Sequence, residues 1–350
     1  MYEFLKRKNI VFSAKRYGID ALGAMAQGLF CSLLIGTIIK TLGLQLNIQY
    51  LIDIGTYAMQ MAGPAMAVAI GHALKADPMV MYSLAAVGWA ANAEGGAGGP
   101  MAVLVIAIVA AECGKAVSKE TKVDLLVTPF VTIVVGVALA KWIAPPIGAV
   151  AGKFGDMIDH ATKLQPFWMG IAVSVLVGVA LTLPISSAAI CSVLGTVGLA
   201  GGAAVAGCCA QMVGFAVMSF RENRWGGLVA QGIGTSMLQM PNIVKNPRIW
   251  IPPTLAAAVT GPIATCLFKL QMNGAAVSSG MGTCGLVGQI GVYTGWVNDV
   301  AAGLKPAITG FDWLGLILVS FVLPAILSWF FCEVLRKWGW IKEHDLTLDL

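Results

Sequence analysis

Gly202-Ala203-Ala204-Val205-Ala206-Gly207-Cys208-Cys209-Ala210-Gln211-Met212-Val213-Gly214-Phe215-Ala216-Val217-Met218-Ser219-Phe220 runs for 19 residues without a charge and stops at Arg221-Glu222-Asn223-Arg224. A helix that crosses a bilayer needs about 20 predominantly apolar residues, and basic residues collect where it re-enters water. The same grammar, an apolar run ended by charges or by Pro and Gly, is repeated along the chain.

Composition agrees with that reading. Hydrophobic residues make up 58% of the 350 positions and charged residues 11%, less than half the ~25% of ordinary soluble domains. The mean hydropathy is +0.82. Six charges lie in residues 1–16 and six in 336–350, which leaves 27 for the 319 residues between. These are too few to cover a water-soluble globule, so a soluble enzyme, a nucleic-acid binder and a disordered chain are all excluded. The net charge of +5 sits at segment ends and points to no nucleic-acid partner.

The apolar runs are 19–43, 50–74, 79–91, 101–116, 123–143, 167–183, 202–220, 226–240, 251–269, 274–292 and 313–335. They predict an all-α polytopic membrane protein with about ten transmembrane helices. Lys6, Arg7, Lys8, Lys15 and Arg16 before the first run, and Arg336 and Lys337 after the last, place both termini in the cytoplasm. The first run is too long for a signal-peptide core. Between the halves, Ile147, Val150, Ala151, Phe154, Met157, Ile158, Ala161 and Leu164 share one helical face, opposite Lys153, Asp156, Asp159, His160 and Lys163. That pattern predicts one interfacial amphipathic helix over 147–164. The resulting division is an N-terminal membrane half (1–145), a linker helix (146–165), a C-terminal membrane half (166–336) and a cytoplasmic tail (337–350).

Three runs are interrupted by Gly, Pro or Ser, at 92–100, 184–190 and 280–288. Irregular backbone at membrane depth survives only where protein or a watery cavity satisfies it, and in transporters such breaks mark the substrate site. They are the three candidates for such a site. Glu94 lies in the first break, as a functional group or as a solvated loop residue. Ser186 and Ser187 follow Pro184 in the second, with no acid or His nearby to activate a nucleophile. Glu112 with Lys115 reads as an interfacial pair, His72 as a residue near a helix end, and Asp53 as a residue close to the outer interface.

The polar capacity is concentrated in 208–248, where Gln211, Ser219, Arg221, Glu222, Asn223, Arg224, Gln231, Ser236, Gln239 and Asn242 lie among glycines. Carbohydrates need such mixtures of donors and acceptors, with an aromatic face of the kind Trp225 offers. The alternatives are a cytoplasmic turn for 221–224 and helix–helix hydrogen bonding for the amides. Trp168, Trp250 and Trp313 read as interfacial anchors. The eight cysteines contain no Cys-x-x-Cys and read as packing residues; neither metal nor cofactor is expected.

Cys208–Asn223, continuing through Gly232-Ile233-Gly234-Thr235-Ser236-Met237-Leu238-Gln239-Met240-Pro241-Asn242-Ile243-Val244-Lys245-Asn246-Pro247 to Ile251-Pro252-Pro253, resembles the EIIC-like membrane proteins of the phosphotransferase system, in the branch that includes the perfringolysin regulator. Leu183–Ala189 and Gly280–Leu286 extend the resemblance. It implies a permease of the bacterial cytoplasmic membrane, a homodimer with an interface half and a transport half joined by the amphipathic helix. It also implies a carbohydrate held by re-entrant hairpins at 184–190 and 280–288, and a cytoplasmic EIIB-type phosphocarrier that phosphorylates it.

The sequence departs from the sugar permeases that carry a Glu and a His at that site. No His lies between His160 and His344, and the acidic residues of 166–335 are Glu222, Asp299, Asp312 and Glu333. Phosphoryl transfer needs a group to orient or deprotonate the attacking hydroxyl, for which Glu222 and Glu94 are the candidates. The substrate-binding candidates are Gln211, Glu222, Asn223, Gln239, Asn242, Ser186, Ser187 and Glu94. Two alternatives stand beside the phosphotransferase permease: a secondary transporter of a small polar or anionic solute on the same fold, and a membrane regulator that senses a solute.

Overall fold

The computed structural model describes residues 2–348. Residues 1, 349 and 350, which belong to the expected first half and tail, lie outside the described residues. The fold is all-helical, with no strand among the described residues and one isolated bridge between Gly198 and Met272. Among the described residues six helical stretches are long and apolar enough to cross a membrane: Arg16–Leu46, Pro78–Val117, Asp124–Thr162, Gly198–Met218, Pro247–Leu267 and Gly310–Lys337. The chain forms two compact units, one through Ala151 and one from Gly152.

In the first unit, the Arg16–Leu46 helix packs along Gln49–Gln60 and Ala62–Ala73, and Ala62–Ala73 packs on Pro78–Gly95. The apolar run 50–74 is thus two helices that meet at Met61. Pro64 explains the break: it has no N–H for the carbonyl four residues back, and it is tolerated in the first turn of a new helix. Pro78–Val117 is a hairpin, because Gly96 (φ +50°) and the single turn Gly96–Gly98 send Gly99–Val117 back along its partner. A methyl group at Gly88 would lie 2.2 Å from the Gly63 carbonyl, so these helices meet backbone to backbone as membrane helices do.

Asp124–Thr162 is a single helix of 39 residues that runs through Pro145 and Pro146. The sequence suggests a stop there. Proline's fixed φ is helical, and what is lost is only the pair of bonds to the Lys141 and Trp142 carbonyls. The amphipathic stretch is therefore the continuation of a spanning helix. Ala151, Ile158 and Ala161 are buried, and Lys153, Asp156, His160 and Lys163 are exposed.

The second unit is built around Gly198–Met218, which is apolar on every side and almost wholly buried. Pro166–Thr182, Ile251–Pro262 and Leu323–Lys337 surround it. Gly207 makes the closest approach possible, since a methyl there would sit 1.8 Å from the Ser174 carbonyl.

Candidate functional site

The chain breaks at 184–190 and 280–288 meet. After Leu183 the chain leaves its helix, and Ser186 caps the eight-residue helix Ser187–Leu194 by accepting the Ala189 N–H at 3.2 Å. The second break holds two single helical turns, Ala276–Gly280 and Cys284–Leu286, before the Val287–Ala301 helix. Ser187 Oγ donates to the Gly280 carbonyl at 2.7 Å, and both groups are buried. Gly282 (φ +55°) lies against the backbone of Cys208 and Cys209, where any side chain would collide. Gln289 Nε2 reaches Cys209 Sγ at 3.2 Å, while its Oε1 is buried with no hydrogen-bond partner. The two breaks thus pack on each other, and the second of them lies against the middle of the central helix.

One turn further along that helix, Gln211 is fully buried in a neutral network. Its Oε1 accepts from Trp250 Nε1 at 3.1 Å and Thr182 Oγ1 at 3.3 Å, and its Nε2 donates to Thr254 Oγ1 at 3.1 Å. Thr182 also bonds Ser236 at 2.8 Å. Ser236 opens the turn Ser236–Gln239, which leads into a second amide group. There Gln239 Nε2 donates to Gln231 Oε1, and Asn242 Nδ2 to Gln239 Oε1, each at 2.9 Å. Gln231 is held in turn by Ser219 Oγ and the Gly227 carbonyl, both at 2.9 Å. Asn223 joins this group through the segment it grips, described below.

Glu222 is ion-paired with Arg336 at 2.7 Å, with side-chain exposures of 6% and 12%. Only one carboxylate oxygen is used, and Oε2 is buried without a hydrogen-bond partner. Beside it, Arg221 pairs with Glu333 at 3.0 Å on the wall of a groove of about 320 Å³ that Trp225 and Trp329 also line. Glu94 belongs to the other unit. It ends the Pro78–Gly95 helix, and its partner is Lys141.

Of the residues singled out from sequence, the structure gathers Asn223, Gln239 and Asn242 in one amide group and Ser186 and Ser187 at one tip. Gln211 has a network of its own, and Glu94 is apart in the first unit. Sequence reasoning missed Gln289 and Arg336 as site residues, and the hydrogen bond of Trp250 to Gln211. Gln289 is one amide in a glycine-rich run, with no pattern around it. Trp250 stands at a segment end, where the belt position and a partly buried hydrogen-bond donor look alike in sequence. Among the described residues no His, Cys, Asp or Glu cluster has the arrangement of a metal site.

Spanning helices with broken segments packed in their interior define a multi-pass membrane protein of the transport class. Residues 19–348 match the family described as phosphotransferase system, EIIC, and the chain belongs to that family. It is a permease component of the phosphotransferase system. No curated protein and no solved structure matches the chain.

Proposed function

We propose that this chain binds and translocates a carbohydrate, with the solute held in the C-terminal half (166–336). The observation that carries the reading is the meeting of the two chain breaks, the second of which lies against the central helix, beside buried amides that retain an unused acceptor at Gln289 Oε1. A hydroxyl-rich neutral solute supplies what such groups lack: donors for orphaned oxygens and acceptors for amide N–H groups. Gln211, Ser186, Ser187 and backbone at 184–190 and 280–288 are the proposed contacts at the tips, and Asn223, Gln239 and Asn242 those at the second amide group.

Glu222 is the proposed phosphoryl-transfer residue, because its Oε2 is free to orient a hydroxyl while Arg336 holds Oε1. The family in general takes a sugar and an EIIB partner, and an EIIB-type phosphocarrier is the proposed donor here. The N-terminal half (1–145) is proposed as the homodimer interface, with Glu94 lining its polar path. Residues 146–165 are proposed as the linker. The site of action is the bacterial cytoplasmic membrane, with both termini and the tail (337–350) on the cytoplasmic side.

The test is uptake of radiolabelled hexoses and hexitols into vesicles, with and without phosphorylated EIIB inside. Sugar phosphate that forms only with the phosphocarrier, and is lost in Glu222→Gln, is the expected result. A second reading has its own support: the C-terminal half has no His in 166–335, and its buried Glu222 is already paired with Arg336. Accumulation of unmodified solute would establish that secondary transporter. Solute binding without any uptake would establish a sensor.

A further inference from the structure

Two residues past the helix Leu323–Lys337, Gly339 (φ +71°) turns the chain back over the unit. Residues 340–345 are anchored: Arg248 stacks on Trp340 with 5.1 Å to the ring centre, and Asn246 Nδ2 donates to the Trp340 carbonyl at 2.9 Å and to Asp345 at 2.8 Å. Residues 346–348 are held differently. Asn223 Nδ2 donates to the Leu346 carbonyl at 2.7 Å, and its Oδ1 accepts the Leu348 N–H at 2.8 Å. Gln239 Nε2 donates to the same Leu346 carbonyl at 3.0 Å, and Asn242 Nδ2 to the Thr347 carbonyl at 2.7 Å.

Four of the contacts are to main chain, and the polar side chain in this segment is left out. Thr347 Oγ1 is buried with no hydrogen-bond partner. The amides therefore recognise spaced carbonyl and N–H groups and not this segment's own side chains. Leu346, fully buried, supplies the apolar part of the grip. A site matched to its tail for good would satisfy the threonine hydroxyl, or would face an apolar residue there.

We infer that Asn223, Gln239 and Asn242, backed by Gln231, form a binding cradle for main-chain amide groups, filled in cis by residues 346–348. We infer too that this strap is a displaceable occupant, which leaves before a solute engages the same amides. The second half of the inference rests on the reading that the C-terminal half binds solute through these amides. The first half does not.

Hydrogen exchange by mass spectrometry on the purified full chain tests it, read on peptides covering 340–348, with 198–218 as the folding control. Asn223→Ala is expected to speed exchange of the strap about tenfold or more with the control unchanged. Thr347→Val, which replaces the orphaned hydroxyl by a methyl group of similar size, is expected to slow it; this keeps the test decisive if Asn223→Ala fails to fold. Excess synthetic peptide of residues 340–350 is expected to speed exchange of the strap by competition. An unchanged strap with the peptide, together with no slowing in Thr347→Val, would overturn the inference and make the tail a permanent part of the fold.

The hexose and hexitol panel separates the two claims. A sugar that binds, seen as a rise in melting temperature, and leaves exchange of the strap unchanged refutes displacement but keeps the carbohydrate reading. Peptide competition with no response to any sugar keeps the cradle and refutes that reading.

Discussion

The two units differ in the balance of polar groups they bury, although the second also holds the Glu222–Arg336 ion pair. In the first, Lys115 (3% exposed side chain) pairs with Glu112 at 2.8 Å, and Tyr17 donates to the same carboxylate at 3.0 Å. Lys115 and Arg16 both donate to the carbonyls of Asn9 and Leu74, so formal charges are locked to each other and to the ends of two helices. In the second unit the buried groups are mostly neutral amides and hydroxyls. Several atoms there go unused, among them Gln289 Oε1, Ser320 Oγ, Ser328 Oγ and Thr347 Oγ1. A buried ion pair is strongly penalised when one partner is removed, which suits a fixed fastener. A neutral amide can exchange one partner for another of equal quality, which suits a site that fills and empties.

The largest effect that would break this contrast is expected at Lys115. Lys115→Met leaves Glu112 buried beside a lost cation and is expected to cost about 3–5 kcal/mol of stability, measured by chemical unfolding in detergent. The double variant Glu112→Leu/Lys115→Met is expected to recover most of it. A single variant as stable as the parent would show that the pair fastens nothing.

Gln211→Leu comes next. It strands the Trp250 indole N–H and takes one partner each from the Thr254 and Thr182 hydroxyls, which keep their bonds to the Trp250 carbonyl and to Ser236, and a loss of about 1–3 kcal/mol is expected in the same measurement. The comparison sharpens if sugar affinity falls by more than the stability loss explains.

Glu94→Gln is expected to change stability by no more than about 1 kcal/mol, since the pair with Lys141 is partly exposed at 33% and 62%. Uptake in vesicles is the readout that matters there, and loss of uptake with intact stability is the expected pattern.

The smallest effect concerns pH. The hydrogen bond from Lys119 is the main reason the Asp77 carboxyl is held below its ordinary value of 3.8. A carboxyl with a depressed folded pKa stabilises the fold above its unfolded value and loses that contribution as pH falls through the folded one. Stability is therefore expected to be flat in this respect at neutral pH and to fall only in acid, and Asp77→Asn is expected to reduce that acid dependence.

Much of the fold is legible in the sequence because its signals are local. Charges at Lys115, Lys119 and Lys122 bracket helices within a few residues of where they end, and the glycine- and serine-rich breaks at 184–190 and 280–288 are non-helical at their tips, as they read. What is not legible is long-range. Asn223 and Leu348 are 125 positions apart and meet through main-chain groups that every residue carries, so no side-chain motif announces the contact. The helix through Pro145 and Pro146 is hidden for the opposite reason: the local signal for a stop is strong, and two missing hydrogen bonds are outweighed by the continuity of a long helix. At Glu94 a glycine-rich loop conceals a helix end whose charge is matched by Lys141, 47 residues on.

The central claim is that the second unit holds a hydroxyl-rich solute through neutral buried groups. The most direct measurement is equilibrium binding of the hexose and hexitol panel to the purified full chain, followed by thermal shift and repeated in Gln211→Ala. At least one sugar raising the melting temperature of the parent, with affinity reduced about tenfold in Gln211→Ala, is the predicted result. No response to any member of the panel, or equal affinity in the parent and in Gln211→Ala, would contradict it.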